Sequence, residues 1–381
     1  MEGSTVSRKL EHVKLLLANK VESSESTLLE DVGIIHNPLP EQDLEEIDLQ
    51  VEFCGGKRLR APLMITGMTG GHRDVAWINE KIAVIAEEMG IAMGVGSQRA
   101  AIENEGVAET FSIARKSASK AVIVANIGAP QLAKGYGLKE AERAVEMVEA
   151  DALAIHLNPG QEAFQDEGDT DFRGVIKKIV EISSRLSVPV IVKEVGTGLS
   201  RRAVATLYNA GVRCFDVAGL GGTNWIKAEV LRSKARHGEP RRPAGSLEDL
   251  WGTHTAVAIV EARIAAPEAF IIGSGGIRNG VDGARAIALG ADVAGFALPA
   301  LRALVNGGEE ALRRLLEAMI YQIKVVTFLA GERHVRGLWK APIVVEGRLR
   351  GQLEGRGIDV DRYIRVHRLS SYLRRSRSWR T

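Results

Sequence analysis

Cysteine is nearly absent from this chain. Its two cysteines, Cys54 and Cys214, stand far apart and outside any metal-ligand spacing, so neither a disulfide framework nor a zinc site is indicated. An excess of one charge is missing too: a formal net charge of +2 leaves no chain-wide footprint for nucleic acid. No apolar run reaches the length of a membrane span. The opening residues, MEGSTVSRKLEHVKLLLANKVES, hold no apolar core followed by a small-residue cleavage site, so they read as a short helix and not as a secretory signal. These absences leave an expectation of a cytoplasmic protein that engages neither nucleic acid nor membrane. What is present is a 45% hydrophobic composition over 381 residues, enough to bury a large core as one large domain or two small ones.

From about residue 61 a short apolar run, a Gly- or Pro-bearing loop and a stretch of helical period recur in order. The runs fall at 61–65 (APLMI), 91–95 (IAMGV), 121–125 (AVIVA), 152–156 (ALAIH), 188–192 (VPVIV), 213–217 (RCFDV), 269–273 (AFIIG) and 291–296 (ADVAGF). Apolar strands alternating with helices imply a parallel sheet covered on both faces. Eight repeats favour closure into a (β/α)8 TIM barrel, class α/β, over an open doubly wound sheet. The expected layout is an N-terminal extension over 1–60 that covers the barrel and supplies substrate-binding residues, a barrel over 61–345, and a C-terminal helical segment with a basic tail over 346–381. The extension reads as a helix, an acidic loop around PLPEQDLEEIDL, and a strand near 51–53. Residues 219–250 are too many for an ordinary loop and form a candidate lid. The Arg-rich end reads as a solvated helix and frayed tail, in preference to a surface for anionic lipid or nucleic acid.

In a parallel barrel the residues just after each strand face the catalytic end. Here nearly every exit is polar or glycine-rich: Thr66 in ITGMTGG, Ser97 in GSQR, Asn126 in NIGAPQ, His156 in HLNPGQE, Lys193 in VKEVG, Thr223 in GLGGTNW, and Gly275 with Gly276 in SGGIR. One such residue would be bland, but seven exits together describe a lined pocket. The last two strands lead into IIGSGGIRNG and GADVAGFALP, where barrels commonly hold a phosphate on backbone N–H groups, with Ala297 and Leu298 opening the final helix. A Gly-rich turn alone would be only a tight connection. Lys193 ends a buried strand, where an ammonium needs a negative partner: a neighbouring carboxylate, or the N1 and C2 carbonyl edge of a flavin, which it would stabilise in the anionic reduced form.

His156, Asn158, Gln161 and Glu162 follow the fourth strand around the stiff Pro159 and Gly160 turn. A lone histidine there could cap a helix, but four polar groups make a substrate site, and Glu162 can offer oxygen to Mg²⁺ alongside substrate phosphates. Arg8, Lys9 and His12 sit together in SRKLEH, where a spacing of three or four places Arg8 or Lys9 on the helical face of His12, and Arg99 lies at the second exit. These cations suit a diphosphate, although the N-terminal trio alone would be an ordinary charged surface helix.

Taken together, SRKLEH, ITGMTGG, GSQR, HLNPGQE, VKEVG, GLGGTNW, SGGIR and GFALP resemble the type 2, FMN-dependent isopentenyl-diphosphate delta-isomerases, from the N-terminal RKLEH to about residue 365. The resemblance implies FMN, Mg²⁺, NADPH as reductant of the flavin, isopentenyl and dimethylallyl diphosphate as substrate and product, and a homo-oligomer, tetramer or octamer. Carried over, it assigns FMN contacts to Thr66, Met68, Ser97, Asn126, Lys193, Thr223, Gly275, Gly276, Ala297 and Leu298. Substrate contacts fall to Arg8, Lys9, His12, Arg99, His156, Asn158 and Gln161, metal binding to Glu162, and catalytic roles to Gln161, His156, Lys193 and Trp225. Trp225 would wall the pocket; simple packing is its plainer role. The Arg-rich end beyond about residue 366 departs from the family pattern.

An unactivated alkene is a very weak base, poorly matched to a side-chain acid. A reduced flavin stacked on it can supply both a proton near N5 and electron density, so FMN is expected to act in the reduced state as an acid/base cofactor. The rival FMN-dependent 2-hydroxy-acid oxidases resemble one another in a His-Gly base followed by Arg after strand six, where this chain reads GLGGTNW. A nucleotide dehydrogenase would need a nucleophilic cysteine in a flexible loop, whereas Cys214 falls inside a strand. A flavin-binding scaffold without activity has no use for HLNPGQE.

Overall fold

The computed structural model describes residues 3–378, with side chains over 9–375. Each apolar run becomes one strand of a closed parallel barrel: β1 (Leu63–Ile65), β2 (Ala92–Gly94), β3 (Val122–Gly128), β4 (Ala152–His156), β5 (Val190–Lys193), β6 (Cys214–Asp216), β7 (Phe270–Ser274) and β8 (Val293–Phe296). Side chains of a closed barrel point either to the filled interior or to the helical layer, so the strands are buried almost throughout and carry no alternation of polar and apolar. The register sets Gly128 beside His156, His156 beside Lys193 and Lys193 beside Asp216. Four neighbouring strands thus present one row of residues at the catalytic rim.

The helices that matter for the site are α1 (Gly3–Ala18), α2 (Pro159–Phe164), α3 (Trp225–His237) and α4 (Leu298–Leu329), while α5 (Arg368–Ser378) lies away from it. α3 occupies the segment expected to be a lid. Asn224 starts it, its Oδ1 accepting from the N–H groups of Ile226 and Lys227, which satisfies donors a helix start leaves open. α4 is interrupted at Gly308, whose φ of 72° and ψ of −172° only glycine adopts freely.

Two short antiparallel pairings lie outside the barrel. Val32–Ile34 pairs antiparallel with Ile343–Val345, and Val51–Glu52 forms a short hairpin with Arg58–Leu59. Here two expectations are corrected. Cys54, in that hairpin, is disulfide-bonded to Cys214 at the start of β6, with Cα atoms 6.5 Å apart. The hairpin packs on the lower end of β6 and β7, where Phe53 meets Phe270 edge to face, and only this long-range packing brings the sulfurs together. The Arg-rich end is also not simply solvated. Arg368 is 2% exposed and donates to the carbonyls of Leu338 and Ala341. Arg375 pairs with Asp292, which also holds the buried Arg263 at 2.9 Å. Guanidinium groups bury when a carboxylate, carbonyls and an aromatic face receive them, and Trp339 supplies that face to Arg263.

Candidate active site

The strand exits converge on one cavity at the open end of the barrel. It is lined by residues of the strand exits together with residues of α1, α2, α3 and α4. Among the residues expected at the cofactor, Thr66, Met68, Ser97, Asn126, Lys193, Thr223, Gly275, Gly276, Ala297 and Leu298 all line it. Those expected at the substrate or metal line it as well: Lys9, His12, Arg99, His156, Asn158, Gln161, Glu162 and Trp225. The side chain of Arg8 lies outside the described residues.

At the β7 and β8 end the cavity wall is backbone. Gly275 and Gly276 have φ of +100° and +78°, and a Cβ added to them would lie 2.2 Å from the Gly219 carbonyl and 2.4 Å from that of Gly221. Only glycine lets these turns interlock. Beside them α4 begins at Leu298, so unpaired N–H groups and the positive end of a helix dipole meet a two-glycine turn. This is a cradle for a phosphate group, and it fits the phosphate of FMN.

Across the cavity, Lys193 lies 3.6 Å from Asp216 Oδ2 and donates to the Glu194 carbonyl, while Ser274 donates to Asp216. The lysine therefore has its carboxylate partner and still lines the cavity. Glu194 folds the loop that follows: its Oε2 accepts the N–H groups of Val195, Gly196, Thr197 and Gly198 at 2.7, 2.8, 2.5 and 3.1 Å. A carboxylate in such a nest fixes the backbone around it.

His156 is set by its neighbours. Asn126 donates through Nδ2 to the Val95 carbonyl at 3.1 Å, so its Oδ1 faces the imidazole and accepts from Nδ1 at 2.8 Å. Burial first, then Lys193 and Lys9, push the His156 pKa down to about 3. The ring stays neutral near pH 7, with its proton on Nδ1. Gln98 supports this corner by accepting the Asn126 N–H at 2.8 Å.

Around α2, Asn158 donates to Glu162 Oε1 at 2.9 Å and to Gln161 Oε1 at 3.2 Å. Glu162 Oε2 accepts from the Asp169 N–H at 2.7 Å. Asn158 Oδ1 is buried with no hydrogen-bond partner among the described residues, so an oxygen ligand faces no donor of the protein.

Sequence reasoning missed Glu229 on α3. It is fully buried and accepts from Gln161 Nε2 at 2.8 Å and Arg232 Nε at 2.7 Å, with His12 Nε2 at 3.0 Å. Burial opposes its ionisation, but His12, Arg232 and the Gln161 amide outweigh that and hold its pKa at about 2. Burial also lowers the pKa of His12, against the pull of Glu229. Trp225, the first residue of α3, meets the His12 ring edge to face at 5.1 Å. The spacing of Glu229 and Arg232 by three positions was the available signal, indistinguishable in sequence from a solvated pair. Arg278, which also lines the cavity, was likewise passed over.

The comparisons with known proteins agree with this geometry. Residues 123–344 match the family model of the FMN-dependent dehydrogenases, which sets the class: an FMN-dependent barrel. Solved structures share the fold. A lactate-oxidase-type protein of Pediococcus acidilactici has a TM-score of 0.63 at 16% identity, covering 91% of this chain and 94% of its own. A mandelate oxidase variant carrying an FMN adduct has a TM-score of 0.59 at 16% identity, covering 88% and 95%. Within that class, the chain belongs to the isopentenyl-diphosphate delta-isomerase family. Members so named are 61% identical in Aeropyrum pernix, over 97% of this chain and 98% of theirs, and 47% identical in Sulfurisphaera tokodaii, over 96% and 98%. In Methanosarcina mazei the identity is 43%, over 94% and 97%.

Proposed function

We propose that this chain converts isopentenyl diphosphate to dimethylallyl diphosphate, with reduced FMN in the barrel mouth, Mg²⁺ on the diphosphate and NADPH as the flavin's reductant. The observation that carries the reading is the convergence of a backbone phosphate cradle with the His156, Asn158, Gln161 and Glu162 cluster in one cavity. When bound, the reduced flavin supplies a proton near N5 and electron density for the cationic character of the reacting alkene.

The chain's residues bind and orient. Lys193 would stabilise the anionic edge of the reduced ring, its charge shared with Asp216. Neutral His156 offers an acceptor at Nε2, because Nδ1–H is engaged by Asn126. Glu229 holds the Gln161 amide from behind, fixing which face it turns to substrate. Lys9 and Arg99 bring cations to the diphosphate, Arg99 while paired with Glu103 at 2.8 Å. Glu162 and the unpartnered Asn158 Oδ1 are the oxygens that would hold Mg²⁺. Among the described residues no three His, Cys, Asp or Glu gather for a metal, so the ion would draw its remaining ligands from substrate phosphate and water. Binding at the diphosphate end then orients the distant carbons.

The proposal extends to a cytoplasmic homo-oligomer, tetramer or octamer. Among the described residues no helix is long and apolar enough to cross a membrane. The test is turnover: protein with FMN, Mg²⁺, NADPH and isopentenyl diphosphate should give dimethylallyl diphosphate without consuming reductant in proportion to product. Full activity with oxidised FMN and no reductant would overturn the role given to the flavin.

A further inference from the structure

Lys9 and His12 reach the cavity from α1, and α1 carries no basic residue in its last turn to meet its exposed carbonyls. Another element does so. Arg302, in the second turn of α4, donates to the carbonyls of Leu16 and Asn19, both at 3.5 Å. The same guanidinium pairs with Glu22 at 2.9 Å, and the second oxygen of Glu22 takes Arg278 at 2.7 Å. The backbone around Glu22 is laid against the GGTN turn: the Ser23 N–H donates to the Gly222 carbonyl at 2.8 Å and the Asn224 N–H to that of Val21 at 2.9 Å. One carboxylate and two guanidiniums thus join the end of α1 to the helix and the turn that form the phosphate cradle.

We propose that Arg302 and Glu22 are positioning residues that pin the N-terminal arm to the cofactor end of the barrel, so that Lys9 and His12 meet the diphosphate. This rests on the function proposed above. From the pin at Leu16 to Lys9 is seven residues of helix, roughly 10 Å at 1.5 Å per residue. A swing of 10° about the pin would move Lys9 by about 2 Å, more than a productive substrate contact tolerates. The side chains of Arg302 and Glu22 are 34% and 23% exposed, so the pair contributes little to global stability. Its loss should show in the arm.

The test compares wild type, Arg302→Met and Glu22→Gln as full-length, FMN-loaded protein. Isomerase kinetics, flavin dissociation and the rate of tryptic cleavage after Lys14 and Lys20 are read together. Each variant should raise KM for isopentenyl diphosphate about tenfold with kcat within about twofold, leave the flavin Kd within about twofold of wild type, and speed cleavage of the arm several-fold. Unchanged KM and unchanged cleavage in both variants would overturn the proposal. So would a flavin Kd that rises in step with KM, since the pair would then serve the cofactor. Cleavage needs no turnover: faster cleavage in the variants would support the pin even if an inactive wild type refuted the isomerase reading.

Discussion

Replacing Cys54 by serine removes the covalent link between the N-terminal hairpin and the barrel, and its cost follows from the loop that the bond closes. Cys54 and Cys214 are 160 residues apart. The chain-entropy relation for a loop of that length gives a loss of roughly 17 cal/mol/K in the unfolded state, or ~5 kcal/mol at 25 °C. A chain of 381 residues, at roughly 2.1 cal/mol/K per residue, unfolds with an entropy of ~0.8 kcal/mol/K. Cys54→Ser, or reduction of the wild type, should therefore lower Tm by about 6 °C. Calorimetry on oxidised, reduced and variant protein reads the shift, and a thiol count in denaturant fixes the redox state of each sample. Flavin affinity should not change, because Cys214 opens β6 at the end away from the rim residue Asp216. Two free thiols in the untreated protein, or a Tm that reduction moves by less than about 1 °C, would refute the reasoning.

Acid should destabilise the fold through His156. Its pKa falls from 6.5 to about 3 on folding, so the unfolded chain binds more protons between those values; stability present above pH 6.5 is lost as pH falls towards 3. Denaturant midpoints at pH 7, 5 and 4 should show a slope that His156→Gln reduces, and an equal slope in the variant would count against the assignment. Gly276→Ala would place a Cβ 2.4 Å from the Gly221 carbonyl at a φ of +78°. It should weaken FMN by about 2 kcal/mol, some thirtyfold, by quenching of flavin fluorescence, and wild-type affinity would contradict the cradle. Glu229→Gln removes the buried charge facing Arg232 and His12. It should cost about 3 kcal/mol in unfolding experiments, while a loss under about 0.5 kcal/mol would place the carboxylate outside the network.

The barrel was legible because closed parallel strands are buried on both sides, so VIVAN and FIIGS stand out against their loops without any alternation to decode. The mouth was legible because polar residues at consecutive exits cannot all be accidents of packing. What escaped depends on contacts between distant segments. Nothing local in EVLR distinguishes Glu229 from a solvated charge; its burial arises because α1 and α2 close over α3, bringing His12 and Gln161 to it. The disulfide joins a hairpin to a strand across 160 residues, a pairing no spacing could announce. Arg368 reads as tail composition in sequence because the carbonyls of Leu338 and Ala341 that receive it come from a segment about 30 residues away.

The central claim is that a flavin and a diphosphate alkene meet in the barrel mouth for proton addition at one carbon and removal at another. Turnover of isopentenyl diphosphate by the FMN-loaded, reduced protein in D₂O measures this directly. Dimethylallyl diphosphate carrying solvent deuterium in a methyl group, formed with no net oxidation of the flavin, is the predicted result. Flavin redox change in proportion to substrate, or product free of solvent deuterium, would contradict it.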